Sequence, residues 1–111
     1  MKILNEEIDF DFLDADQIEI FEKAAQEVKE KCSDTNIKEV SLSEALRREC
    51  QIVNEFFDNV FGKGTSERIF KGKMNLKEHI KAFEDITEEK IKAQKDFEKA
   101  FSKYLPNRKK L

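Results

Sequence analysis

The chain has no tryptophan and, among its 111 residues, only one tyrosine, one histidine, one proline, three glycines and two cysteines. Each scarcity excludes something. Cys32 and Cys50 have no CxxC spacing and fall in predicted helices, so they read as free thiols of a reducing cytoplasm, a reading the absence of a leader-like start supports. His79 has no Cys or carboxylate at metal-site spacing around it. A lone histidine cannot hold zinc, and there is no serine motif for it to activate. No segment approaches the roughly 20 apolar residues of a membrane span. Nor is there the strongly basic footprint of a nucleic-acid binder.

What the chain does have is phenylalanine and charge. Charged residues make up 41% and hydrophobic residues 39%, with ten Phe carrying most of the aromatic content. A Phe buries a large apolar area, so a few can anchor a small core. Their helical spacing argues against disorder. The net charge of −3 is unevenly spread: residues 1–40 carry five Lys against twelve Asp and Glu, and residues 41–111 carry sixteen Lys and Arg against twelve. An acidic head (−7) and a mildly basic body (+4) could attract each other between copies, although exposed ion pairs contribute little.

The pattern predicts a mainly α fold: a small domain of three main helices plus a short one, with an N-terminal β-hairpin. Residues 1–105 form that domain and 106–111 a basic tail. In residues 2–12, Ile8, Phe10 and Phe12 alternate with Asp9 and Asp11 after a turn near Asn5-Glu6, the period of a strand. Asp14 or Asp16 caps a first helix over 15–32, with Ile18, Phe21, Ala25, Val28 and Cys32 as its stripe. A polar loop follows to Val40. Ser41 and Glu44 have capping-box spacing, with Ser43 as a competing cap. The helix they open runs to about Phe61 and carries Leu46, Cys50, Ile52, Val53, Phe56, Phe57 and Val60, so it should be the core. Gly62 and Gly64 stop it, and Thr65 or Ser66 starts a short helix that Gly72 closes. Asn75 with Glu78 caps a last helix over 76–104, which Pro106 terminates.

That last helix would span over 40 Å at about 1.5 Å per residue, longer than such a domain is wide. Its final turns are expected either to project or to complete a three-helix bundle. Phe97, Phe101 and Tyr104 recur there at helix-in-groove spacing, which makes them the candidate partner-binding residues.

Three other constellations invite chemistry. The acids Asp9, Asp11, Asp14 and Asp16 suggest calcium, but aromatic spacers and the lack of a turn glycine favour a strand and a cap. The segment 61–66, FGKGTS, faintly suggests a phosphate loop, yet it follows a helix and its lysine lies between the glycines. The carboxylates Glu84, Asp85, Glu88 and Glu89 sit on a lysine-rich helix, where i,i+4 pairing is the simpler reading. The expectation is therefore a non-enzyme without metal or cofactor.

Four segments in order carry a family resemblance: KILNEEIDFDFLDAD (2–16), ADQIEIFEKA (15–24), LSEALRRECQIVNEFFDNVFGKGTSERIFKGKMNL (42–76) and YLPNRKK (104–110). The block FFDNVFGKGTSERIFKG (56–72) and the YLPNR ending are the more specific parts. The arrangement resembles short proteins encoded in the tail module of siphophages and prophages of Gram-positive bacteria, over nearly the whole chain. The resemblance implies a tail assembly chaperone of the host cytoplasm. Such a protein forms a homo-oligomer and keeps the tape-measure chain soluble while tail-tube subunits polymerise. A structural tail-completion or head–tail joining subunit is the alternative. A prophage nucleic-acid-binding regulator is a third, against which the acidic head argues.

Overall fold

A computed structural model describes residues 1–33 and 40–104, the last by its backbone alone. The expected loop after the first helix, Pro106 and the basic tail lie outside the described residues. The elements in order are β1 (Lys2–Ile3), β2 (Glu6–Glu7), α1 (Ala15–Ser33), α2 (Leu42–Phe61), α3 (Thr65–Phe70) and α4 (Leu76–Tyr104). The chain is a small, mainly α domain with an N-terminal hairpin, as the pattern predicts.

The hairpin is tighter than expected. Its strands pair antiparallel with Lys2 opposite Glu7 and Ile3 opposite Glu6. The two-residue turn is Leu4-Asn5, both with positive φ of 46° and 74°. Paired positive φ values match the right-handed twist of a hairpin, and Asn tolerates them better than Leu. The alternating stretch beyond Glu7 is not strand. Ile8 is buried, while Phe10 and Phe12 are half-buried and pack on the core as an irregular segment. Edge-to-face contacts absorb them: Phe10 meets Phe61 at 5.0 Å and Phe12 meets Phe21 at 5.6 Å. Packing of large rings displaced a strand with no further partner to pair with.

The helix caps follow sequence. Asp14 Oδ1 accepts from the backbone N–H of Asp16 (2.9 Å) and Gln17 (3.2 Å). Ser41 Oγ accepts from Glu44 N–H at 3.2 Å, and Asn75 Oδ1 from Glu78 N–H at 3.1 Å. Each side chain satisfies an orphan donor of a first turn.

The short helix starts at Thr65, as expected, but neither Thr65 nor Ser66 is its N-cap. The cap position is Gly64, which has no side chain to offer. The acceptor is instead Asp58, one turn back in α2: its Oδ1 takes the Ser66 N–H at 2.8 Å and its Oδ2 takes the Ser66 hydroxyl at 3.0 Å. Gly64 turns at φ +92°, a left-handed conformation that favours glycine. At the other end Lys71, not Gly72, is the left-handed C-cap.

The core forms on α2. Phe57 and Cys50 are wholly buried there, with Phe56, Ile52 and Val53 nearly so. Phe21 and Ala24 of α1, Ile69 and Phe70 of α3, Ala82 and Ile86 of α4, and Ile3 and Ile8 of the hairpin close around them. Phe56 is the hub of the ring contacts, lying 5.4 Å from Phe21, 5.3 Å from Phe57 and 4.9 Å from Phe83. Helices α1, α3 and α4 all pack on α2, whereas α1 and α4 make few close approaches to each other. Cys32 near the end of α1 meets Glu49 of α2, and Phe21 near its start meets Phe56, so α1 runs antiparallel to α2. The described molecule is elongated, 55 Å by 29 Å by 21 Å.

Candidate functional site

No group of three or more His, Cys, Asp and Glu residues among those described could hold a metal. Two acids of the run Asp9, Asp11, Asp14 and Asp16 have other work. Asp11 Oδ1 accepts from Leu13 N–H at 2.9 Å, and Asp14 is the α1 cap. In the phosphate-loop look-alike, Asp58 already holds the Ser66 N–H at 2.8 Å, and that carboxylate would repel an anion.

His79 is a structural residue. It is wholly buried, and its ring lies 3.7 Å from that of Phe70 at an interplanar angle of 8°. Its Nδ1–H donates to the Asn75 carbonyl at 2.7 Å. Its Nε2 lies 2.9 Å from Asn54 Oδ1. Burial lowers its pKa, against a smaller opposing effect of the Asn75 bond. A neutral ring that gives its Nδ1 proton to Asn75 has a bare Nε2, so the Asn54 amide must turn its NH2 towards it. That turn gives up only a 4.0 Å contact from Asn54 Nδ2 to Met74 Sδ.

The remaining features are apolar and concave. Because α1 and α4 lie on α2 without closing on each other, a seam runs between them and opens at two places. The first opening, about 310 Å³, is walled by Val28 of α1, Val53 of α2, and Leu76, Ile80 and Phe83 of α4, with Cys32, Glu49 and Glu84 also lining it. Ile80 is 46% exposed there. The second opening, about 280 Å³, lies along the start of α1, with Phe12, Leu13 and Ile18 on one wall and Gln94 and Phe97 on the other. Volumes near 300 Å³ with apolar walls are typical of sites that take a side chain or a small ligand.

Of the sequence-predicted partner residues, Phe97 lines the second opening. Phe97 is 51% exposed and Leu13 across from it 61%. Phe101 is half-buried and stacks on Phe97 with centroids 5.3 Å apart. Tyr104 is the last residue of α4, and its side chain lies outside what the structure describes. From Ile91 to Lys103 most of α4 is exposed, so the helix outruns the core.

The first opening was missed by sequence reasoning. Val28, Val53, Leu76, Ile80 and Phe83 all read as ordinary stripe residues, and only the placement of α1 and α4 on α2 leaves Val28, Leu76, Ile80 and Phe83 partly uncovered above the buried Val53. Cys32 shares this opening. Its thiol donates to Glu49 Oε2 at 3.0 Å, and its pKa is pushed up to about 11, first by partial burial and then by that carboxylate. The Cys50 thiol is also raised, chiefly by burial. Neither is tuned as a nucleophile.

Fold and surface together define a small helical protein with an open apolar seam and, among the described residues, no metal cluster. Residues 4–110 match DUF6673, a family of unknown function, and the chain belongs to that family. No curated protein and no solved structure matches the chain. No helix among the described residues is long and apolar enough to cross a membrane.

Proposed function

We propose that the protein is a non-catalytic tail assembly chaperone of a siphophage or prophage, working in the host cytoplasm and holding a helical segment of the tape-measure protein. The observation that carries this reading is the first opening of the seam. Val28, Val53, Leu76, Ile80 and Phe83 form an apolar concavity bounded by three helices, with Ile80 46% exposed. An amphipathic helix offers anchors at i, i+3 or i+4 and i+7 to such a groove. A chaperone for a long helical chain needs such a receptor and no reacting groups. The raised thiols and the structural His79 are in keeping with that.

The test is capture by the tagged chain from cells co-expressing the tape-measure and tail-tube proteins, with wild type and Ile80→Asp side by side. The reading expects wild type to retain the tape-measure chain, Ile80→Asp to lose it while keeping wild-type helicity, and the protein to be absent from purified particles. Presence in particles, or capture of tube or connector subunits alone, would make it a structural tail-completion or head–tail joining component. Retention of nucleic acid with steep salt dependence would make it a prophage regulator.

A further inference from the structure

The stripe that α4 buries does not stop where the core stops. His79, Phe83, Ile86, Lys90, Ala93, Phe97, Ala100 and Tyr104 follow one another at alternating steps of four and three residues, the seam of a coiled coil. Burial falls along it. His79 and Ile86 are fully covered, Lys90 and Ala93 are half-covered, and Phe97 and Ala100 are exposed. The molecule thus presents a coiled-coil face without the helix that would complete it. Other exposed apolar residues, such as Ile20, Leu42 and Ile91, are scattered and need no such account.

We propose that a second copy of this chain completes that face, its α4 lying antiparallel to the first about a two-fold axis between Ala93 and Phe97. Three observations select a second copy over an unrelated helix. First, the face is self-complementary in size: the large Phe97 is flanked on the stripe by the small Ala93 and Ala100, so an antiparallel copy sets each Phe97 against an alanine of the other. Second, the half-buried Ile18 and the exposed Leu13 wall the second opening beside Phe97, where the antiparallel partner's α4 would cover them. Third, the charges complement. Residues 3–22 hold eight acids and no base, whereas residues 90–103 hold five lysines against Asp96 and Glu98. The antiparallel register also brings Glu89 of each copy towards Lys103 of the other, and it leaves Asp96 facing its own counterpart near the axis. A two-fold axis makes the patch isologous, as most small homodimers are. This surface is separate from the groove of the proposed tape-measure site, so it stands or falls independently of that reading.

The test is the solution mass of the full chain by sedimentation equilibrium, from 1 to about 100 μM at low and at high salt, with helicity followed by circular dichroism. The expected result is a dimer that weakens as salt rises. Phe97→Asp should weaken it about thirtyfold or more at unchanged helicity, the loss of a central anchor. Asp96→Asn should tighten it by about twofold to fivefold, since it removes a like-charge pair. Lys103→Glu should weaken it, and adding Glu89→Lys should restore it. A monomer throughout this range would overturn the proposal. So would a dimer indifferent to Phe97→Asp, or one that Asp96→Asn weakens.

Discussion

The rings of Phe70 and His79 lie nearly parallel, 3.7 Å apart at 8°, and join α3 to the start of α4. The stack makes the only histidine of the chain a core residue, and its titration a property of the fold. Burial lowers its pKa below the ordinary 6.5. The unfolded chain therefore takes up a proton at a pH where the folded one resists it. Stability is whole above pH 6.5 and erodes as pH falls through that value, until the folded state also binds the proton. Urea midpoints at pH 7.5, 6.5 and 5.5 should fall for wild type. His79→Gln, already less stable at pH 7.5, should lose little more across the same window.

Phe57 and Phe97 should separate fold from surface. Phe57 is fully buried among Phe56, Phe61 and Phe70, so Phe57→Ala should cost about 3–5 kcal/mol. Phe97 is 51% exposed, and Phe97→Ala should change the stability of the single chain by about 0.5 kcal/mol or less, measured at a dilution that keeps it monomeric. Phe101, half-buried, should fall between them. If Phe97→Ala melts the chain as Phe57→Ala does, α4 is not surplus to the core.

The bond from Asp58 to Ser66 substitutes for a missing cap. Asp58→Ala should destabilise by about 1–2 kcal/mol, the usual cost of losing a helix cap. Asp58→Asn should lose less, because its amide oxygen still accepts from the Ser66 N–H. Thermal denaturation of the two variants checks the order.

Cys32 should be a sluggish nucleophile. With its pKa at about 11, its alkylation by iodoacetamide at pH 8 should run on the order of a hundredfold slower than that of an ordinary thiol. Glu49→Gln should speed it, since one of the two causes of the raised value is removed. Cys50 should react only on unfolding.

Much of this architecture was legible in the sequence because its determinants are local. Ser41, Asp14 and Asn75 cap the helices they precede, and the α2 stripe from Cys50 to Phe57 is buried as its spacing predicts. The failures are those of distance. His79 is satisfied by Asn54, 25 residues away, and that partnership leaves no local pattern. The α3 cap comes from Asp58, eight residues before its donor and across two glycines. The strand expected over Phe10 and Phe12 obeys the right period but lacks a neighbour to bond to. Cys32 completes the α1 stripe yet is exposed, because at its level it meets only the edge of α2 at Glu49. The second opening was half legible: Phe97 and Ile18 were readable from helical spacing, whereas Leu13 beside Ile18 was not.

The placement of every other helix on α2 also orders how the molecule breathes. Because α1 and α4 rest on α2 rather than on each other, either can lift without dragging the other with it, whereas α2 cannot be freed until all its neighbours have gone. Amide hydrogens of α2 around Val53 to Phe57 should therefore exchange only through global unfolding. Those of α4 beyond Lys90 should exchange through fraying of its own last turns, and those of the early turns of α1 through a partial opening of the seam. The hierarchy of exchange, slow at the centre and graded outward along two independent arms, follows from which helix serves as the floor.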